Sequence, residues 1–393
     1  MKQFSRIMIP GLIITVVALM LTRVGIASAA RASTSSTHTL QTCGSWSIVP
    51  SPIPSNSLNS VLNGVAAVSS NDAWAVGSYF INQFDTNTLI EHWNGSHWSI
   101  VPSPSPGSTT LLRVAAVVSS TDIWAIGNNG LLPLVEHWNG AQWSVVSIPT
   151  PSPVDSIAGI VAIASNDVWV VGRQTQSSGL VITLIEHWNG TQWSVVSSPN
   201  LGNVENGLIS VTAVSSSNIW AVGLYDKSGI TYTLIEHWNG TRWSIVTSPN
   251  LTNNTNILAS VTAISGKNIW AVGWYDVQAN FSQTLVEHWN GTAWKVVSSP
   301  SPVQGGSLTS VAAVSASNIW AVGPVFYSTQ PSQAFIEHWN GATWQSVSSP
   351  STTPPSGLAG VALIPGTSNL WAVGQTTSPT HPNVQRPLAE FYC

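Results

Sequence analysis

The sequence predicts an all-β fold, a seven-bladed β-propeller with four antiparallel strands per blade. The first observation is a four-residue phrase, Trp-Ala-Val-Gly or a close variant, that recurs seven times. The second is its spacing, because successive copies lie 45 to 51 residues apart. The third is that the segments between copies are short, rich in Val, Ile, Thr and Trp, and bounded by turn residues. Such a period is typical of a ring of small sheets. The copies begin at Trp74, Trp124, Trp169, Trp220, Trp270, Trp320 and Trp371.

Each repeat divides into four predicted strands. The innermost strand is built of small and branched residues, such as Val211 and Ala213 in the fourth copy, which suits the crowded centre of a ring. The Trp-Ala-Val-Gly strand follows, and its last glycine, Gly77 in the first copy, indicates a bend or a close backbone approach. The third strand reads Leu-Ile-Glu-His-Trp in several copies. The outermost strand carries another tryptophan and ends near Ser-Pro, and proline is tolerated at a sheet edge.

Two tight turns recur along the repeats, one in all seven copies and the other in six. An Asn-Gly pair joins the third and fourth strands, and it predicts a hairpin because this pair tolerates positive φ. An Asp or Asn stands two positions before each Trp-Ala-Val-Gly tryptophan, where its side chain is expected to bond backbone two residues on. The six Asn-Gly turns begin at Asn94, Asn139, Asn189, Asn239, Asn290 and Asn340. The second set is Asp72, Asp122, Asp167, Asn218, Asn268, Asn318 and Asn369.

The two chain ends are predicted to complete one blade. The seventh copy stops at Cys393 without an outer strand, and residues 43–50 match the missing strand. Pairing of the N-terminal strand with the C-terminal strands therefore closes the ring. Cys43 and Cys393 are the only cysteines, and the alignment places both at one hairpin. In a secreted chain this predicts a disulfide. The alternative is a lipoprotein acylated at Cys43.

The first 42 residues differ from the repeats. Residues 1–29 are typical of a secretory signal peptide, with Lys2 and Arg6 before an apolar run from Ile7 to Leu21 and small residues at a cleavage position. Residues 30–42 form a Ser/Thr-rich leader, and residues 43–393 form the single propeller. Cleavage leaves 8 basic against 15 acidic side chains, which argues against nucleic-acid binding. We expect a secreted monomer, free or retained at the cell surface, with no membrane contact after cleavage.

The order of the motifs resembles the kelch repeat of galactose-oxidase-type propellers, in which a glycine-ended strand precedes an aromatic residue, a tryptophan and a proline turn. It is also similar to the sortilin and photosystem-assembly repeats. These resemblances cover the mature chain and imply a seven-bladed propeller. Kelch strands usually end in two glycines, whereas Ser78 follows Gly77 here. Sialidases carry a related repeat and an arginine triad. Four arginines of the blades share no repeat position, so convergence is not expected: Arg113, Arg173, Arg242 and Arg386.

The Glu-His pair of the third strand is predicted to be structural. Neighbouring residues of a strand point to opposite faces, so Glu91 and His92 cannot share a site. The pair recurs in six blades, so the copies are also separated around the ring. Each Glu is expected to accept hydrogen bonds from an indole or a backbone N–H. No metal and no cofactor is predicted.

Function is predicted on the rim that carries the longer, variable connections. Aromatic and polar side chains concentrate there, as stacking on a sugar or gripping a peptide would need. The ligand-binding candidates are Trp274, Tyr275, Tyr225, Tyr232, Tyr79, Phe84, Tyr327 and Arg173. Packing within their own loops is the other explanation of these side chains. Trp274 is the strongest candidate, because it lies outside every repeated tryptophan position.

The sequence therefore favours a secreted, non-catalytic binding or scaffold propeller whose partner is a carbohydrate or another protein. A purely structural surface protein is a further alternative. The competing class is an extracellular carbohydrate-active enzyme, an oxidase or a lyase, with its site at the channel mouth. Its acid or base would come from a small set of acids outside the repeat: Asp85, Asp155, Glu205, Asp226 and Asp276.

Overall fold

The computed structural model of the 393-residue chain describes residues 43–278, 281–326, 332–350 and 356–393, apart from the side chain of Pro382. The predicted signal segment 1–29 and the leader 30–42 lie outside these residues. The described chain forms 28 strands in seven four-stranded antiparallel sheets. It contains no helix of the length and apolarity that crossing a membrane requires.

Blades 1 to 3 follow each other along the chain with the same strand order from the centre outward. Blade 1 comprises β2 (Asn59–Ser69), β3 (Asp72–Phe80), β4 (Thr86–Trp93) and β5 (Trp98–Ile100). Blade 2 comprises β6 (Thr110–Ser119), β7 (Asp122–Asn129), β8 (Leu132–Trp138) and β9 (Trp143–Val145). Blade 3 comprises β10 (Asp155–Ala164), β11 (Asp167–Thr175), β12 (Val181–Trp188) and β13 (Trp193–Val195).

Blades 4 to 6 repeat this order, and blade 7 takes its outer strand from the N-terminal segment. Blade 4 comprises β14 (Glu205–Ser215), β15 (Asn218–Lys227), β16 (Ile230–Trp238) and β17 (Trp243–Ile245). Blade 5 comprises β18 (Asn256–Ser265), β19 (Asn268–Gln278), β20 (Phe281–Trp289) and β21 (Trp294–Val296). Blade 6 comprises β22 (Ser310–Ser315), β23 (Asn318–Val325), β24 (Gln333–Trp339) and β25 (Trp344–Val347). Blade 7 comprises β26 (Ser356–Leu363), β27 (Leu370–Ser378), β28 (His381–Tyr392) and β1 (Trp46–Val49).

The two chain ends meet as the sequence predicts. Strand β1 pairs antiparallel with β28, with Trp46 opposite Tyr392 and Val49 opposite Ala389. The backbone N–H of Gly44 donates to the carbonyl of Cys393 at 2.6 Å. The thiols of Cys43 and Cys393 lie close together but are not covalently linked in this structure. Their hydrogen bond, followed by burial, raises the pKa of Cys393. The disulfide therefore stays a prediction.

The hydrophobic core consists of seven clusters, one at each seam between adjacent blades. The small residues of the inner strands allow the sheets to approach closely at the centre, as predicted. The glycines after Trp-Ala-Val lie against inner-strand backbone, and a Cβ at Gly77 would stand 2.0 Å from the carbonyl oxygen of Val61. The Asn-Gly turns also form as predicted: Gly95 has a φ of 93°, and Asn94 Oδ1 accepts the backbone N–H of Ser96 at 3.0 Å.

Candidate functional site

Strand alternation gives the ring two unlike rims. The turns within 70–71 and 94–97 of blade 1, and their equivalents, form the short-turn rim. Loops 81–85 and 101–109, and their equivalents, form the long-loop rim. The prediction that both variable connections share one rim follows from the antiparallel pairing and is confirmed. Their predicted length is wrong for three of the connections that the structure describes, where the second and third strands are joined by only two residues: 130–131, 228–229 and 379–380.

Several predicted ligand-binding aromatics pack within the ring. Tyr79, Tyr225 and Tyr275 occupy one repeat position, and each packs at the seam with the preceding blade. The Tyr225 ring stacks on Tyr232, with 5.1 Å between centroids. The Tyr275 hydroxyl donates to Gln283 Oε1 at 2.6 Å. These four side chains therefore help to hold their own hairpins together, which agrees with the packing explanation.

The remaining candidates are spread around the rim. Phe84 lies in the first loop and is 80% exposed. Trp274 is half-buried near the end of β19, opposite Ile257 and Thr284. Tyr327 lies outside the described residues. Arg173 stands near the end of β11, at the repeat position that Trp274 occupies in blade 5. The described candidates thus come from blades 1, 3, 4 and 5 and do not form one pocket.

An arginine pair at the channel mouth was not predicted. Arg113 stands at a bulge between Leu112 and Val114 of β6, and its Nε donates to Asn128 Oδ1 at 3.1 Å. Although Arg113 is exposed overall, partial desolvation, and then the positive charge of Arg173, lowers its pKa. The two guanidinium groups are therefore close enough for their charges to interact. The expectation that no arginines converge is wrong for this pair, because different repeat positions of adjacent blades meet at the long-loop end of the channel.

One arginine of this pair, Arg173, is bound to a carboxylate. Arg173 Nη1 donates to Glu205 Oε1 at 2.5 Å, and Glu205 begins the inner strand of blade 4. Arg113 faces the neutral Asn128 amide, so the cluster of Arg113, Asn128, Arg173 and Glu205 carries a net positive charge. Arg113 is solvent-exposed, and the Arg173 side chain is 39% exposed. We call these four residues the arginine cluster. Guanidinium groups of this kind bind carboxylate or sulfate oxygens in pairs.

The sequence held a signal for this cluster in its deviations from the repeat. Arg113 is the only charged residue at its inner-strand position, where other blades have uncharged residues: Asn63, Ala158, Ile209, Ala259, Thr309 and Ala359. Arg173 is likewise the only charged residue at its own position in the second strand. The two exceptions fall in adjacent blades, and this adjacency is the signal in the sequence that indicates the cluster.

The acids outside the repeat have local partners. Asp85 accepts from Asn82 Nδ2 at 2.7 Å, and Asp276 accepts from Ser282 Oγ at 2.7 Å. Asp226 accepts the backbone N–H of Gly229 at 3.1 Å. Asp155 is 1% exposed, and burial raises its pKa although the Ser152 backbone donates to it. Within the described ranges, no three His, Cys, Asp or Glu side chains are grouped so that they could hold a metal ion.

The repeated glutamates lie buried between blades. Glu91 is fully buried at the seam with blade 7, on the face it shares with Leu89, whereas His92 points to the other seam. The predicted opposition of the pair is confirmed. The predicted donor is wrong, because Glu91 accepts from Ser51 Oγ of the preceding blade at 2.9 and 2.8 Å. Burial raises the pKa to about 8 for Glu91, Glu136, Glu186, Glu236, Glu287 and Glu337.

The Asx residue of the short-turn rim organises side chains instead of a backbone turn. Asp72 Oδ1 accepts Trp74 Nε1 at 2.9 Å and lies 3.0 Å from His92 Nε2. The predicted backbone bond is therefore wrong, because the indole two residues on takes the acceptor. Blades 1 to 6 all build this Asx-Trp-His triad. Blade 7 has Phe391 in place of the histidine.

A groove of about 540 Å³ lies over the triad at the seam of blades 1 and 2. Trp74 and His92 come from blade 1, and the half-buried Trp138 comes from blade 2. The ring centroids of Trp74 and Trp138 are 5.0 Å apart. The His92 side chain is 28% exposed and that of Asp72 is 19% exposed. No residue of this rim was predicted as part of a site.

No protein-family model and no curated protein sequence matches the chain. Solved structures match it by fold. A structure of YCF48 bound to D1 peptide is 14% identical and has a TM-score of 0.56, covering 88% of this chain and 96% of that one. U3-55K is 10% identical with a TM-score of 0.57, covering 88% and 98%. A PL25 ulvan lyase bound to GlcA(1-4)Rha3S is 11% identical with a TM-score of 0.56, covering 84% and 94%. This likeness supports the seven-bladed β-propeller fold.

Proposed function

We propose that this protein is a secreted binding propeller that holds an acidic ligand at the long-loop mouth of its channel. The observation that carries the proposal is the arginine cluster, where guanidinium groups from adjacent blades lie close together and Arg173 is paired with Glu205 while Arg113 bonds the neutral Asn128 amide. The chain has 11 Lys and Arg against 15 Asp and Glu, so a net positive cluster is an exception on its surface. Its ligand is a polymer that presents carboxylate or sulfate groups.

Binding is favoured over catalysis because the five acidic residues outside the repeat are already engaged in hydrogen bonds or an ion pair. Glu205 is held by Arg173, and the other four acids outside the repeat accept hydrogen bonds as described above. A general acid or base needs to reach its substrate, whereas these carboxylates are engaged in their own loops or ion pair. The carbohydrate-active enzyme remains the second candidate, and product release in the experiment below would favour it.

The structural neighbours give coarser support. YCF48 was solved with a D1 peptide and the ulvan lyase with a saccharide that contains glucuronic acid and sulfated rhamnose. Proteins with this fold therefore include ones that bind a peptide and ones that bind an acidic saccharide. The arginine cluster would suit the acidic group of either, and the experiment separates the two sources.

The test compares three variants in which one arginine is replaced by glutamine. Arg113→Gln and Arg173→Gln each remove one guanidinium group of the cluster. Arg242→Gln is the matched control, because Arg242 lies in an Asn-Gly turn on the short-turn rim. Binding is measured to immobilised polyglucuronate, to a sulfated polysaccharide, to an uncharged polysaccharide and to poly-glutamate. We expect about a tenfold loss or more for the two cluster variants, which corresponds to a charge-assisted hydrogen bond.

The binding of one acidic probe should also weaken as salt is raised, because the cluster is partly exposed. Equal loss in Arg242→Gln would show unspecific charge attraction and contradict the proposal. Binding to none of the acidic probes would contradict it as well. Shortened polysaccharide chains after incubation would indicate an enzyme instead.

Secretion and a ring-closing disulfide complete the proposal. Its support is the apolar segment after Lys2 and Arg6, together with the meeting of Cys43 and Cys393. The protein recovered from culture medium should begin after residue 29, and a non-reducing peptide map should contain the Cys43–Cys393 link. A protein retained in the cytoplasm with two free thiols would contradict this part.

A further inference from the structure

The short-turn rim carries a groove at the seam of blades 1 and 2, and the ring contacts beneath it recur at further seams; the proposed function does not use them. At each of the five seams from blades 1 and 2 to blades 5 and 6, a Trp-Ala-Val-Gly tryptophan packs nearly face to face on the histidine of its own blade and in a tilted arrangement on a tryptophan of the next blade. The Trp-His centroid distance is 4.2 to 4.4 Å at all five. The Trp-Trp distance is 4.9 to 5.4 Å. The five seams therefore repeat the ring geometry that lies under the groove of blades 1 and 2, and each seam is called a groove below.

The buried and the half-buried tryptophans of this stack have different surroundings. Trp74 is 3% exposed and forms the floor. Trp138 is half-buried, and its Nε1 donates to the Ser120 carbonyl at 3.2 Å, so its indole is fixed at the groove wall. The equivalents of Trp138 are also half-buried, each with the same bond to a turn carbonyl: Trp188, Trp238, Trp289 and Trp339.

Hydrogen bonding fixes the tautomer of each histidine. Indole Nε1 only donates, so the Asx atom that it meets is an oxygen acceptor. In blade 4, Asn218 Oδ1 receives Trp220 Nε1 at 2.8 Å and lies 2.9 Å from His237 Nε2. The neutral His237 must therefore carry its proton on Nε2, which leaves Nδ1 as an acceptor. Burial lowers the pKa of His237, which favours this neutral form.

The Asx residue changes charge around the ring while the geometry stays the same. The first three grooves have Asp72, Asp122 or Asp167, and the next two have Asn218 or Asn268. The distance from Oδ1 to His Nε2 is 2.8 to 3.0 Å in all five. A ligand that needed a negative charge would fit only the first three grooves. A neutral ligand with hydroxyl groups suits all five.

We infer that the short-turn rim is a multivalent site for neutral saccharides, with one pyranose bound in each of five grooves. The apolar C–H face of the sugar lies on the half-buried tryptophan, and a sugar hydroxyl donates to His Nδ1. An indole that is apolar on its face and anchored at its N–H is suited to such stacking. The groove volume of about 540 Å³ is within the range of small-ligand sites. A single site would be weak, on the order of 1 mM, and five on one polymer gain by avidity.

The test counts grooves by their indole N–H signals in a ¹H–¹⁵N spectrum of the whole protein. The probes are the neutral methyl glycosides of glucose, galactose, mannose, fucose and N-acetylglucosamine. At least one should shift the five signals of the groove-wall tryptophans. Ser120→Tyr then blocks one groove, because Ser120 is an exposed residue at the edge of that groove. The contacts among Trp74, His92 and Trp138 remain in this variant. This variant should lose the shift of one tryptophan and keep the other four.

A second variant removes the proposed acceptor while preserving an aromatic ring. His→Phe at positions 92, 137, 187, 237 and 288 copies Phe391, which this chain already uses at the seam of blades 7 and 1. Affinity for the active glycoside should fall about tenfold or more at every groove. Arg242→Gln is the control on the same rim.

Three results would overturn the inference. In the first, the glycosides leave all indole signals in place; in the second, they shift the signal of Trp274 alone, which lies on the long-loop rim. Alternatively, the fivefold His→Phe variant folds with unchanged affinity, which would show that the histidines only support the ring. Because the arginine cluster lies on the other rim, failure here leaves the proposed function standing, and the reverse holds as well.

Discussion

On the short-turn rim, six blades build the same Asx-Trp-His triad, whereas on the long-loop rim the position after Gly77 holds a different residue in every blade. Those seven residues are Ser78, Asn128, Arg173, Leu224, Trp274, Pro324 and Gln375. The two rims belong to the same strands and differ in what their side chains meet. The triads join neighbouring blades through tilted contacts between tryptophan rings, so changing one affects a seam. Three of the seven long-loop residues are buried and four are half-buried, but none takes part in the repeated triad, so their identity can differ from blade to blade and serve a ligand.

If this comparison is right, stability depends on the repeated contacts, and the largest effect should come from pH. Six buried glutamates have pKa values of about 8, against an ordinary value of 4.5. Between these values the folded protein binds more protons than the unfolded chain, so its stability falls as pH rises. One unit of pKa corresponds to about 1.4 kcal/mol, and the six groups together should lower the free energy of unfolding by at least about 5 kcal/mol from pH 4.5 to 8.

Three histidines act in the opposite direction. Burial lowers the pKa of His237, His288 and His338, so their contribution is present above the ordinary pKa of 6.5 and decreases as pH falls below it. Urea unfolding at pH 5, 7 and 8.5 measures the balance. Glu186→Gln should reduce the slope of the free energy of unfolding against pH by the contribution of about one bound proton. A stability that rises from pH 5 to 8.5 would contradict the assignment of protonated glutamates.

The second prediction compares one residue type on the two rims. Trp124 is 2% exposed at the seam of blades 2 and 3, where its ring meets His137 and Trp188. Trp124→Ala should cost about 3 to 5 kcal/mol, because it leaves a cavity in a packed seam. Trp274→Ala, on the long-loop rim, should cost about 1 kcal/mol. Urea unfolding of both variants measures the difference, and equal costs would remove the distinction between the rims.

The third prediction concerns the serine that links two blades. Ser51 Oγ lies 2.9 and 2.8 Å from the two carboxyl oxygens of the buried Glu91. Ser51→Ala should cost about 1 to 3 kcal/mol, because it removes the donor to a fully buried carboxyl group. Ser103→Ala is the matched control, since Ser103 bonds the Thr88 hydroxyl at 2.7 Å, and its cost should be nearer 1 kcal/mol. Thermal unfolding of both variants tests this order, which the reverse result would refute.

The sequence predicted the ring because periodicity reports strand packing directly. The fifty-residue spacing, the glycines and the divided seventh blade all reflect contacts that every blade must make. The arginine cluster was missed for the opposite reason. Arg113 and Arg173 occupy different positions of their repeats, so an alignment of repeats separates two residues that the ring brings together.

The errors within the repeat have a different physical cause. The Asx residue was assigned to a backbone turn, and its side chain instead accepts an indole N–H, as Asp72 does from Trp74. Glu91 was expected to bond an indole or the backbone, and it bonds Ser51 of the preceding blade. Both errors concern side-chain partners. A repeat alignment gives strand faces and turns, but it does not give the rotation that brings one blade against the next.

The smallest expected effect is at the tip of the long-loop rim. Phe84 is 80% exposed, and its backbone N–H is held by Asn82 Oδ1 at 2.8 Å, so the loop keeps its shape without the ring. Phe84→Ala should change the free energy of unfolding by less than about 0.5 kcal/mol. A loss above about 1 kcal/mol would mean that the loop packs on the ring through this side chain, and that the long-loop rim also bears stability. A stable variant with altered ligand binding would instead extend the binding surface from the arginine cluster to blade 1.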